Sequence, residues 1–134
     1  MNQSDNESGH GLFFWNELLT SDIEKAKAFY AATLGWDYDE MENPDGAYFV
    51  ALVNDEPVGG LSSMPAYMPD GTPPHWMSYV EVDDLDKSLA GIARAGGKVM
   101  RPPFEVPEVG RMAIIADPTG AIMAWITPAD HSQD

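Results

Sequence analysis

The chain has 134 residues, room for one domain with one core. Seven Lys and Arg against 22 Asp and Glu give a formal charge of −15, which argues against nucleic acid and anionic membranes as partners. No cysteine is present, which excludes disulfides and thiolate ligands, and no apolar run approaches the roughly 18 residues that cross a bilayer. The first eleven residues are polar and lack the apolar stretch of a signal peptide, so a cytoplasmic protein is expected. The acids are spread along the whole chain, as solubility or a saline habitat requires, while a site for cationic ligands is the sharper alternative.

In chain order, residues 1–11 read as a flexible tail. A strand-like run follows from Leu12 to Leu19. Ser21 to Glu24 has the form of a capping box, with Ser21 at N-cap and Glu24 three residues on. Ile23, Ala26, Tyr30 and Leu34 recur at helical spacing, and Gly35 supplies a left-handed stop. Three strands are then predicted over 36–41, 47–53 and 58–64. Asn43-Pro44-Asp45-Gly46 and Asn54-Asp55-Glu56-Pro57 form the turns between them. Residues 65–74 are too rich in proline for a regular element and read as a linker. The order then repeats. A strand over 76–82 leads to a helix that Asp83 caps, with Leu85, Leu89 and Ile92 as its stripe and Gly96-Gly97 as its stop. Strands over 98–106, 111–116 and 121–127 close the copy, the last two joined by the turn Asp117-Pro118-Thr119-Gly120. Asp84 lies 84 − 22 = 62 positions after Asp22, and Gly97 lies 97 − 35 = 62 after Gly35. Each half is therefore βαβββ, which indicates an internal duplication.

Leu19-Thr20-Ser21-Asp22, Ala28-Phe29-Tyr30 and Leu34-Gly35-Trp36 in the first half carry a resemblance, as do Val80 to Leu85, Gly96-Gly97 and Asp117 to Gly120 in the second. Together they resemble the vicinal oxygen chelate superfamily, which comprises glyoxalase, bleomycin-resistance protein and dioxygenase relatives. The resemblance implies an α+β fold of two tandem βαβββ modules whose curled sheets form a cup, often in a homodimer. On this reading 12–128 is one domain, with modules over 12–64 and 75–128, a linker over 65–74 and a tail over 129–134.

Metal-using members of that superfamily draw ligands from the first and last strand of each module. The corresponding positions here are Trp15 and Ser62 in the first module, and Met77 and Ala124 in the second. None of these side chains suits a divalent-metal site, so no metal and no cofactor are expected. Strand alternation puts Trp15 and Glu17 on one face, with Met77, Tyr79 and His75 on the matching face of the second module. A small-molecule site lined by Trp15, Glu17, Ser62, His75, Met77, Tyr79 and Ala124 follows. Glu17 is its chemically active member, because a carboxylate among apolar neighbours takes up a proton more readily or pairs with a cation. Tyr79 is its positional twin, 17 + 62 = 79. Trp76 and Trp125 are expected in the core. Arg101 and Arg111 are candidates for an anionic group, although arginines among so many acids more often pair with them. Three functions fit this pattern. One is metal-independent binding of an organic, cationic or aromatic ligand. Another is a metal-free isomerase, lyase or cyclase in which Glu17 and Tyr79 are the acid–base pair. The third is a degenerate cup in a protein that acts through its surface.

Overall fold

The protein is described by a computed structural model covering residues 9–41, 47–66, 68–106 and 109–129. The turn expected at Asn43 to Gly46 lies outside the described residues, as do the last five positions of the expected C-terminal tail. The chain divides into two compact units. One spans Trp15–Met77, and the other joins the described residues up to Phe14 with those from Ser78 onward. Both boundaries fall inside strands rather than at the linker, for reasons visible in each unit.

In the first unit, β1 (Phe13–Thr20) leads into α1 (Ile23–Leu34), followed by β2 (Asp37–Met41), β3 (Tyr48–Val53) and β4 (Glu56–Ser63). The strands lie in the order β2-β3-β4-β1, antiparallel except for β1 beside β4. Ser21 does not cap α1. Asp22 does, its Oδ1 accepting the Lys25 N–H at 3.0 Å, while Thr20 Oγ1 accepts the N–H of Asp22. A carboxylate at that place satisfies an orphan donor and also meets the positive end of the helix, which a serine hydroxyl does less strongly. Gly35 ends the helix in the left-handed conformation at φ 75°.

The core explains why alternation was readable. Leu18, Phe49 and Leu61 stand opposite one another on three adjacent strands, so they share one sheet face. With Ala51 they form a buried cluster under Ile23, Ala26 and Tyr30 of α1. Each such large apolar side chain contributes about 1.5–3 kcal/mol on burial. Asn54 and Asp55 both have positive φ, so the β3–β4 connection is a two-residue turn and the expected turn residues Glu56 and Pro57 belong to β4. Trp76, near the end of this unit, stacks edge-on against Tyr30 and Trp36, and its indole N–H donates to the Tyr30 hydroxyl at 3.3 Å. That packing draws the start of the next strand into the first unit. It also corrects the core assignment of Trp76, which flanks α1 and stays 40% exposed.

The second unit contains most of β5 (His75–Glu81), then α2 (Leu85–Ala90), β6 (Lys98–Val106), β7 (Gly110–Ala116) and β8 (Ile122–Pro128), with strand order β5-β8-β7-β6. Its cap is Asp84, which accepts the Lys87 N–H at 3.2 Å, and not Asp83. The two true caps thus keep the 62-residue offset. The backbone N–H of Asp83 instead donates to His10 Nδ1 at 3.0 Å. Gly9 to Gly11, expected in a loose tail, are held by this bond and by a bond from the Gly11 N–H to the Glu81 carbonyl at 2.7 Å. The helix is shorter than its stripe implied. It stops at Gly91, a residue that loses more backbone freedom in a helix than any other, and irregular turns carry the chain to Gly97. Val82, Leu85 and Ala113 form the buried cluster, with Leu89 and, as expected, Trp125 packed against it. Asp117 anchors the β7–β8 turn by accepting from Thr119 and Ala121.

Asp22→Ala and Asp84→Ala are each expected to cost about 1 kcal/mol, read from the urea midpoint, because each leaves a helix N-terminus uncapped. Ser21→Ala is expected to change stability by less than about 0.5 kcal/mol.

Candidate functional site

Register defines the face of the first unit that points away from α1. Asp39, Val50, Gly60 and Glu17 stand opposite one another across β2, β3, β4 and β1. The next row is Met41, Tyr48, Ser62 and Leu19. Residues directly opposite share a face, and this one carries Glu17, Asp39 and Tyr48 where the α1 face carries the buried Leu18, Leu61 and Phe49.

The same reading in the second unit corrects an equivalence. Tyr79 stands opposite Ala124, as Glu17 stands opposite Gly60. The structural counterpart of Ala124 is therefore Gly60 and not Ser62. The constant offset fails before β7, between the second and third strands of each copy. Asp39 lies 50 − 39 = 11 positions before its partner Val50, whereas Arg101 lies 114 − 101 = 13 before Ile114, and β6 carries register shifts that β2 lacks. A shift of two residues preserves the face, so alternation gave no warning of it.

Gly60 has no side chain, and its space is taken. A Cβ built there would collide with the Tyr48 hydroxyl and ring. The Tyr48 hydroxyl accepts the indole N–H of Trp15 at 3.1 Å and donates to Glu17 Oε1 at 3.2 Å. Three aromatic or acidic side chains from two strands are thus joined through one phenol. Burial pushes the Tyr48 pKa far above its ordinary value, the adjacent Glu17 charge adds to this, and the Trp15 bond partly offsets it. The phenol is consequently a fixed proton donor to the carboxylate at any physiological pH.

Of the residues expected in the site, Trp15 and Glu17 come together, with Tyr48 as a partner that alternation within β1 could not reveal. One signal was available: two successive glycines, Gly59 and Gly60, inside a strand mark a close approach by another group. Ser62 stands on the same face, but its hydroxyl bonds to the Ser63 carbonyl at 3.0 Å. His75 turns Nδ1 to the Pro73 carbonyl at 2.9 Å, which makes that nitrogen the protonated one. Met77, Tyr79 and Ala124 are buried, at 1%, 8% and 0% exposure. Arg111 is engaged by Asp86 and Glu105, both at 2.9 Å, while Arg101 lies over the Phe104 ring. Among the described residues, no three His, Asp or Glu side chains cluster as metal ligands would. No described helix is long and apolar enough to cross a membrane.

The sequence model of the Glyoxalase/Bleomycin resistance protein/Dioxygenase superfamily matches residues 12–123. CFP32 of Mycobacterium tuberculosis (strain CDC 1551 / Oshkosh), named provisionally as a glyoxylase, is 42% identical over 109 residues, covering 80% of this chain and 42% of that protein. The anthracycline biosynthesis protein DauV of Streptomyces sp. (strain C5) is 34% identical over 107 residues, covering 80% of this chain and 38% of that protein. The chain thus spans less than half the length of these curated relatives. Methylmalonyl-CoA epimerase from Mycobacterium tuberculosis shares the fold at a TM-score of 0.62 with 18% identity, over 92% of each chain. With eight strands and two helices among the described residues, in two βαβββ copies, the chain belongs to the Glyoxalase/Bleomycin resistance protein/Dioxygenase superfamily.

Proposed function

We propose that the chain is a metal-independent binding protein for a small organic cation, held on the face of β1, β3 and β4 by Glu17, Trp15 and Tyr48. The observation that carries this reading is the Glu17 carboxylate, half-buried and hydrogen-bonded to a phenol that also holds an indole. A carboxylate beside aromatic rings attracts a cation through charge and through the ring faces together. Asp39, in the same cross-strand row, adds a second negative charge. Metal independence is supported by residue type: Trp15 and Gly60 in the first unit, and Met77 and Ala124 at the second module's positions, lack the nitrogen and oxygen donors that divalent ions need.

A second reading is favoured by the relatives' names, a glyoxylase and proteins of anthracycline biosynthesis, which point to small-molecule chemistry. In that reading the protein is a metal-free isomerase, lyase or cyclase. Glu17 is its general base.

Benzyltrimethylammonium is a suitable first probe, with benzyl alcohol as the neutral control. Calorimetric binding of the cation is expected to weaken by about 1–3 kcal/mol in Glu17→Gln, the range for two unit charges about 5 Å apart between the water and protein-surface limits, with the melting temperature almost unchanged. Equal affinity of wild type and variant would remove Glu17 from the site. Dialysis against EDTA is expected to leave both binding and melting unchanged, and a loss restored by a divalent ion would overturn metal independence.

A further inference from the structure

The space over Gly60 has a consequence for the chemistry of Glu17. We propose that Tyr48 is a positioning residue: seated where a side chain at position 60 would stand, its hydroxyl fixes the Glu17 carboxylate and the Trp15 indole in one arrangement. Tyr48 has no backbone pairing with β1, since its cross-strand neighbours are Met41 and Ser62. It reaches β1 only by crossing over β4, and among the β4 residues on this face only a glycine leaves room. The backbone at Gly60 does not demand glycine, because its φ is not in the left-handed region. Close approach is therefore the reason for a glycine here, and the group that approaches is the phenol.

The hydroxyl uses both its capacities. It accepts from Trp15 and donates to Glu17, so its rotor is fixed, and the bond to Glu17 favours the ionised carboxylate. Burial on the protein side secures the donor, because a phenol so placed does not ionise in the range where Glu17 titrates. The arrangement thus holds a carboxylate charged and aimed while leaving the rest of the face to a ligand. Only the ligand arm of the test rests on the binding reading above.

The test compares Tyr48→Phe, Gly60→Ala and the double variant, all in the full chain. The Glu17 carboxyl titration is followed by carbon-13 NMR, and the Trp15 indole N–H by proton NMR. In Tyr48→Phe, the Glu17 midpoint is expected to move to higher pH and the Trp15 N–H signal to shift as its acceptor is lost. Benzyltrimethylammonium affinity is expected to fall about two- to tenfold, the value of one hydrogen bond. Gly60→Ala expels the ring without removing it and is expected to give the same Glu17 displacement. In the double variant the displacement is expected to equal that of either single change, because both act through one contact. A Glu17 midpoint unmoved in folded Tyr48→Phe would overturn the proposal, and so would two displacements that add. A wild-type chain that does not bind the probe, with the NMR shifts as expected, would refute the binding reading and leave the positioning role supported.

Discussion

Parallel pairing of β1 with β4 is the constraint on which the first unit depends. It sets Leu18 beside Leu61 under α1 and, one residue away, Glu17 beside Gly60 on the opposite face. Because side chains alternate, a slip by one residue would send Leu18 outward and Glu17 into the core. A carboxylate buried without a partner costs several kcal/mol, and so would the lost burial of Leu18 and its neighbours. The apolar row therefore fixes the register, and the register places the acid. The polar face needs no separate folding code, since the core row dictates where its members stand.

Gly60 shows how such a face acquires chemistry at little energetic cost. A glycine inside a strand sacrifices packing and backbone entropy, of order 1 kcal/mol. Here the loss is offset by the Tyr48 ring filling the gap, so no cavity remains to be penalised. The corresponding place in the second unit holds Ala124, fully buried beside Tyr79. Equivalent rows then diverge across their width. The first reads Glu17, Gly60, Val50 and Asp39, and the second Tyr79, Ala124, Ile114 and Arg101. Duplication preserved the apolar third members, while the first and last exchanged an acid for a phenol and an acid for a base.

Most of the fold was legible because it is written in local patterns. Helical stripes, strand alternation and turn residues give the ten elements of the described residues in order, β6 with the bounds Lys98–Val106 that the structure shows. What misled were places where two local signals compete. Ser21 and Asp83 both precede the actual caps by one residue, since adjacent polar residues offer two candidate oxygens and only geometry selects one. The stripe through Ile92 suggested a longer α2, but Gly91 interrupts it. The site was less legible. Glu17 and Trp15 could be placed by alternation, yet their link is a side chain 31 and 33 residues away whose path crosses another strand. No periodicity within one element encodes such a contact.

The charge of −15 bears on how Glu17 is to be understood among so many acids. Most of the described acids are exposed to solvent, so screening limits what each contributes to the field at any one place. Glu17 is half-buried, and the donor it accepts from is the part-buried Tyr48 hydroxyl. A partner that is already aimed does not have to reorganise when a ligand arrives, and the entropy of ordering that carboxylate is spent on folding rather than on binding. Diffuse acidity brings cations towards the surface, while a preorganised carboxylate holds one in a defined orientation. On the proposed binding reading, selectivity for a particular organic cation would depend on the rings beside Glu17, whose positions the Tyr48 hydroxyl links to the carboxylate.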